Sequence, residues 1–228
     1  MHFVSESHSS TPTSRIAGRV SKAGRIPIVL LITTLLLVLS NLLVLNSAFA
    51  YQFTGIWWSR TEGGHLWCEE STVTRHTNWS DLIFQSIGQY NGLPYTNPDF
   101  LKTTCDNSHK ITFNQQVRDD LRNVCGATGV TRKTTGQIVA VEITYSGYQS
   151  FWDGVQNGAD CYFRSTTLHE YGHGQGLGHS CEFNAVMWDT DRGYSTLQAD
   201  DKFGMRRIYD ATWGGPPYAD NPPYPNCN

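Results

Sequence analysis

His169, Glu170, His173, Gly176 and His179 are the residues of this sequence best suited to chemistry, and their spacing reads H-E-x-x-H-x-x-G-x-x-H. In a helix, His169 and His173 stand at i and i+4 on one face, where two imidazoles can share a metal ion. Gly176 falls three residues past His173, and glycine tolerates the positive φ at which helices end. A sharp turn there returns His179 as a third ligand. Three neutral imidazoles and one water suit tetrahedral zinc with an open catalytic position. Glu170, next to the first ligand, then reaches the zinc-activated water and serves as its general base. An ordinary helix carrying chance histidines accounts for H-E-x-x-H, but poorly for five fixed positions in eleven residues.

The run from His169 to Ser180, HEYGHGQGLGHS, resembles the metzincin clan of zinc endopeptidases and is most similar to its matrixin (matrix metalloproteinase) family. The resemblance implies zinc on His169, His173 and His179, Glu170 as catalytic base, Gly176 and Met187 as supports, and protein or peptide substrates. Met187, in Ala185–Val186–Met187–Trp188, stands where metzincins place a methionine turn beneath the ligands. Its thioether is an apolar, polarizable floor rather than a ligand. The stretch Leu197–Gln198–Ala199–Asp200–Asp201, continuing through Gly204 to Ile208–Tyr209, is similar to the matrixin C-terminal helix. In that family an aspartate here supports the site through buried hydrogen bonds, sometimes to a new N-terminus. Acids favouring a helix start are the alternative reading.

The sequence also departs from the family. Asp189 occupies the position where astacin-like enzymes carry tyrosine and matrixins usually carry proline. Tyr194 is then a candidate to line the specificity pocket. The loop from Gly147 to Asp160 contains no histidine, so the family's second zinc has no evident ligands there. Asp153 and Asp160 offer oxygens to calcium, or are solvated turn residues. The P-R-C-G-x-P-D motif with which matrixin propeptides cap the zinc does not occur.

The resemblance and the hydrophobic patterning imply an α+β zincin/metzincin fold. It has a twisted, mostly parallel five-stranded sheet with one antiparallel edge strand, an active-site helix, and a small irregular C-terminal subdomain with one helix. The upper part spans about 51–176 and the lower part about 177–228. A helix capped by Asn78 carries Trp79, Leu82, Ile83, Ile87 and Tyr90 on one stripe. Gly92 to Cys105 reads as loop, and Val117, Leu121 and Val124 fit a short helix ending at Gly126. Ile111 and Phe113 suggest a short strand, and Gly136 to Tyr145 is the clearest strand. The resemblance gives that last strand the edge position that binds extended substrate; a plain core strand is the alternative. The active-site helix is expected from about Arg164 or Ser165 to Gly174. Gly172 and Gly174 cost it about 1 kcal/mol each against alanine, which close packing of another element would explain. Ser195 and Gln198 have capping-box form, predicting a helix to about Tyr209.

Length and composition set the context. The chain has 228 residues and a formal net charge of −3. Arg15, Arg19, Lys22 and Arg25 precede an apolar run from Ile26 to Leu45, followed by Ala48–Phe49–Ala50. Residues 1–50 read as a signal peptide cleaved after Ala50, or as an uncleaved membrane anchor, since the run is about twenty residues long. In both cases residues 51–228 form a catalytic domain outside the cytoplasm, expected to be monomeric; cleavage makes it a secreted, extracellular enzyme. No basic run suggests nucleic acid. The six cysteines argue for three disulfides in an exported chain. The alternatives to a secreted zinc endopeptidase are the same enzyme anchored to a membrane and a zinc-stabilised binding or adhesion module without turnover.

Overall fold

Large apolar residues at alternate positions build the central sheet. Trp67 lies on β2 (His65–Glu69), Ile111 and Phe113 on β4 (Ile111–Gln116), and Val141, Ile143 and Tyr145 on β6 (Ile138–Ser146). All six side chains are buried. Side chains two apart share a face, so one side of these strands is apolar and must be covered. The computed structural model describes residues 51–59, 65–94, 100–106, 109–153 and 159–210, all within the unit Ala48–Asn228.

With β3 (Phe100–Lys102) and β5 (Gly126–Arg132), the strand order is β3-β2-β4-β6-β5. Trp67 pairs with Ile111 and Ile111 with Val141 in parallel register, and β3 is also parallel to β2. β5 alone runs antiparallel, from Gly126 opposite Tyr145 to Arg132 opposite Ile138. This is the five-stranded, mostly parallel sheet with one antiparallel edge strand that the sequence led us to expect.

Two helices cover the apolar face. α1 (Ser71–Thr74) is one turn, and α2 (Trp79–Asn91) follows it. Trp79, Ile83, Ile87 and Tyr90 are buried along α2, with Leu82 partly so. α3 (Phe163–Gly174) lies against α2. Trp79 stacks on Phe163 with ring centres 4.0 Å apart, and the Tyr90 hydroxyl donates to the Leu168 carbonyl at 2.8 Å. Phe113 and Tyr171 stack between sheet and helix at 6.4 Å. The remaining elements are β1 (Tyr51–Phe53), β7 (Phe151–Trp152), β8 (Cys161–Tyr162), β9 (Leu177–Ser180) and α4 (Ala199–Tyr209). β1 pairs antiparallel with β9, placing Tyr51 opposite Ser180.

Four local expectations are corrected. β6 is interior, between β4 and β5, so it cannot offer a free edge; β5 is the edge strand. The stretch read as loop contains β3, and Asn91 holds that strand through both the Phe100 amide and carbonyl. The helix expected around Val117–Val124 is only a 3-10 turn at Asp119–Leu121, with Val117 exposed. α4 is capped by Gln198 and Asp201, three residues later than Ser195 suggested. Asn78 does precede α2, but its side chain makes no capping hydrogen bond.

Cys68 bonds Cys105 and Cys125 bonds Cys161, and Cys181 is also disulfide-bonded. Among the described residues no helix is long and apolar enough to cross a membrane. The segment 1–50 and the tail carrying Cys227 lie outside the described residues, as does most of the loop between Asp153 and Asp160.

Candidate metal centre and cleft

α3 carries the site, and its C-terminal end is held by side chains. The last carbonyls of a helix have no partner within it. Here the Trp58 indole donates to the Gly174 carbonyl and the Tyr209 hydroxyl to the Gln175 carbonyl, each at 2.8 Å. The chain then turns at Gly176, whose φ of 96° favours glycine. A Cβ there would meet the Ile56 carbonyl oxygen at 2.2 Å, so both conformation and space demand glycine. The turn leads into β9 and brings His179 beneath α3.

The three imidazoles anticipated from the sequence converge. Ring centres of His169, His173 and His179 lie 4.7, 5.2 and 5.0 Å apart, and their nearest ligand atoms are all within 4.8 Å of one another. His169 Nδ1 is 2.8 Å from the Val186 carbonyl and His173 Nδ1 is 2.8 Å from the Leu177 carbonyl. A carbonyl only accepts, so each Nδ1 carries the proton and each Nε2 turns a lone pair toward the centre. Those Nε2 atoms are 3.1 Å apart. Facing lone pairs repel, and a cation between them removes the repulsion. Burial lowers the pKa of both rings, that of His173 to about 4, so both are neutral near pH 7. Three imidazole nitrogens gathered in this way form a donor set that fits zinc.

Met187 lies beneath the helix, fully buried. A Cβ on Gly172 would sit 2.4 Å from the Met187 sulfur and 2.8 Å from the Tyr90 hydroxyl oxygen. On Gly174 it would sit 3.0 Å from Val141. The two helix-weakening glycines are thus explained by close approach of Met187 and α2 on one side and of β6 on the other. The Met187 turn is in turn held by Asp201, which is wholly buried. Its Oδ2 accepts the Val186 and Gln198 amides at 3.0 and 2.7 Å, and its Oδ1 accepts the Met187 amide at 3.1 Å.

Glu170 points to the opposite side, toward β5, and is buried. Burial pushes its carboxyl above the ordinary glutamate range; the nearby His173, the Thr128 hydroxyl and His179 oppose that rise. A cleft of about 470 Å³ opens over these groups. Its walls are Cys125 and the start of β5 as far as Thr128, the α3 residues Ser165, Thr166, His169, Glu170 and His173, and residues between Val186 and Asp191.

The model of the matrixin family matches residues 82–210. The chain belongs to the matrixin family. Matrixins are zinc-dependent endopeptidases, so a protease fold, a zinc requirement and peptide substrates come with membership. No match to the chain was found among curated proteins.

Some cleft residues of this matrixin carried no usable sequence signal. Thr128 bonds Glu170, yet a threonine in a strand reads only as β-propensity. Asp191 accepts from the Tyr162 amide, the Thr166 hydroxyl and the Gly193 amide, shaping the wall beyond Met187. Tyr194, expected to line the pocket, is instead packed against the core with its hydroxyl donating to Asn184. Asp160 accepts from the Ser150 amide and hydroxyl, as a turn residue does.

Proposed function

We propose that this matrixin is a secreted endopeptidase that cuts extended peptides laid along β5. The observation carrying this reading is the convergence of three imidazoles with a buried carboxylate in a cleft walled by an open sheet edge. His169, His173 and His179 would hold zinc. Bound there, zinc supplies Lewis acidity, acidifying a water and polarising a peptide carbonyl. β5 offers unpaired backbone groups on its free edge, which an extended substrate completes by adding a strand. Glu170 takes the proton of the attacking water on its carboxylate and passes it to the leaving amine. The enclosed, largely dry setting that raises its pKa also makes it a better proton acceptor.

The test is hydrolysis of an unstructured protein by the chain beginning at Tyr51, with and without a chelator. We expect cleavage that chelation abolishes and added zinc restores. Zinc uptake with no cleavage across diverse peptides would instead favour a binding module. N-terminal sequencing of the exported product separates a secreted enzyme from an anchored one.

Release after Ala50 has a structural consequence. It leaves a free ammonium at Tyr51, opposite Ser180 in the β1–β9 pair, and the Ser180 hydroxyl donates to Asp200 at 2.5 Å. Burial, with Asp201 and Glu182 nearby, raises the Asp200 pKa to about 6 while Ser180 opposes the rise. A carboxyl raised on folding loses stability as pH climbs from its unfolded value toward 6. The new cation reverses that loss. Asp200 is only partly buried, so we expect on the order of 1 kcal/mol. Denaturant melts at pH 4 and pH 7 should show a steeper decline for the uncut chain than for one starting at Tyr51. Parallel declines would mean that the ammonium and Asp200 do not interact.

A further inference from the structure

The start of β5 does more than wall the cleft. Gly126 and Thr128 stand two residues apart, on one side of the strand, and that side faces α3. A Cβ on Gly126 would lie 3.0 Å from Glu170 Cγ, 3.3 Å from its Oε1 and 3.2 Å from Thr166 Cγ2. The glutamate stem therefore crosses the strand where the chain has no side chain. One residue earlier, Cys125 is bonded to Cys161, two residues before α3 begins. That bond ties the residue before the strand to the residues leading into the helix.

Thr128 Oγ1 lies 2.7 Å from Glu170 Oε2 and 2.8 Å from the Glu170 backbone carbonyl. One hydroxyl proton serves one acceptor at a time, and a bond to a carboxylate is the stronger of the two. We infer that Thr128 is a positioning residue for catalysis. Its hydroxyl donates to Glu170 Oε2, holds the carboxylate in one rotamer over Gly126, and leaves Oε1 to receive the reacting proton. A threonine that only packed β5 onto α3 would need no more than the bond to the helix carbonyl. The inference rests on Glu170 being the base, and the experiment separates the two claims.

Thr128→Val keeps the shape and removes the hydroxyl; Thr128→Ser keeps the hydroxyl. Steady-state kinetics of the zinc-loaded protein are measured beside zinc content and the side-chain carboxyl ¹³C shift of Glu170. In Thr128→Val we expect kcat to fall roughly 10–100-fold, as for other outer partners of metal-site groups. KM and zinc content should stay within about twofold, and the Glu170 carboxyl signal should move. Thr128→Ser should restore kcat and the carboxyl signal. Thr128→Ala, which introduces no new contact, should repeat the valine result and serves if valine disturbs folding. Parental kcat in the valine and alanine variants, with Glu170→Gln inactive, overturns the role of Thr128 alone. A loss shared equally by serine overturns it too. Parental activity in Glu170→Gln overturns the reading beneath it.

Discussion

Glu170→Gln is expected to leave zinc bound and to lower turnover by about 10²–10⁴-fold. The amide matches the carboxylate in size, so the stem still crosses Gly126 and the Thr128 hydroxyl still finds an acceptor. What disappears is the capacity to take a proton. None of the three imidazoles hydrogen-bonds to Glu170 among the described contacts; His169 and His173 are oriented by the carbonyls of Val186 and Leu177. Metal content should therefore match the parent by direct analysis. The parent should also show an acidic limb in kcat/KM. The working form is the carboxylate, and burial raises the pKa at which it protonates. Activity should thus fall as pH drops while still above the ordinary glutamate range. Zinc content measured beside activity across the same pH range separates protonation of Glu170 from protonation of the imidazoles. Zinc loss coincident with the activity loss would assign the limb to the ligands instead.

The zinc motif was legible because metal chemistry restricts residue type and spacing together. Five fixed positions picked out three histidines, a glutamate and a glycine turn; the structure brings the three imidazoles and Glu170 to one cleft and places the turn at Gly176. α3 itself was legible only through that motif. Most of its residues are buried, on nearly every side, so it carries no amphipathic stripe. α2, with one buried face, was legible by spacing alone. β5 was missed because Gly126–Ala127–Thr128–Gly129 holds two glycines and little apolar surface, the opposite of a strand signal. It is a strand because β6 pairs with it, and Gly126 is bare because Glu170 fills the space a side chain would need. Such pairing is tertiary information. The same holds for Gln198, which became the helix cap in place of Ser195 because Asp201, three residues on, is buried against the Met187 turn.

Asp201 supports the second large prediction. The Val186 carbonyl and the Met187 amide belong to one peptide unit. Asp201 Oδ1 accepts from its N–H side, and His169 Nδ1–H donates to its C=O side. The carboxylate thus polarises and fixes the group that orients His169, while Oδ2 holds the Val186 and Gln198 amides. Asp201→Asn supplies one acceptor oxygen where two are used. Whichever way the amide turns, its NH₂ faces at least one backbone N–H in a site with no access to solvent. Leaving buried donors unpaired and removing a charge matched to three amides should cost about 3 kcal/mol of stability. Because the disturbed peptide is the one bonded to His169, zinc affinity should also fall roughly 10–100-fold. Denaturant midpoints and competition titration of zinc measure the two effects. Asp200→Asn, a change one residue away on a partly exposed side chain bonded to Ser180, should move zinc affinity far less. A stability loss in Asp201→Asn with zinc affinity unchanged would separate the scaffold from the site, and show that the Val186–Met187 peptide keeps His169 in place without its carboxylate.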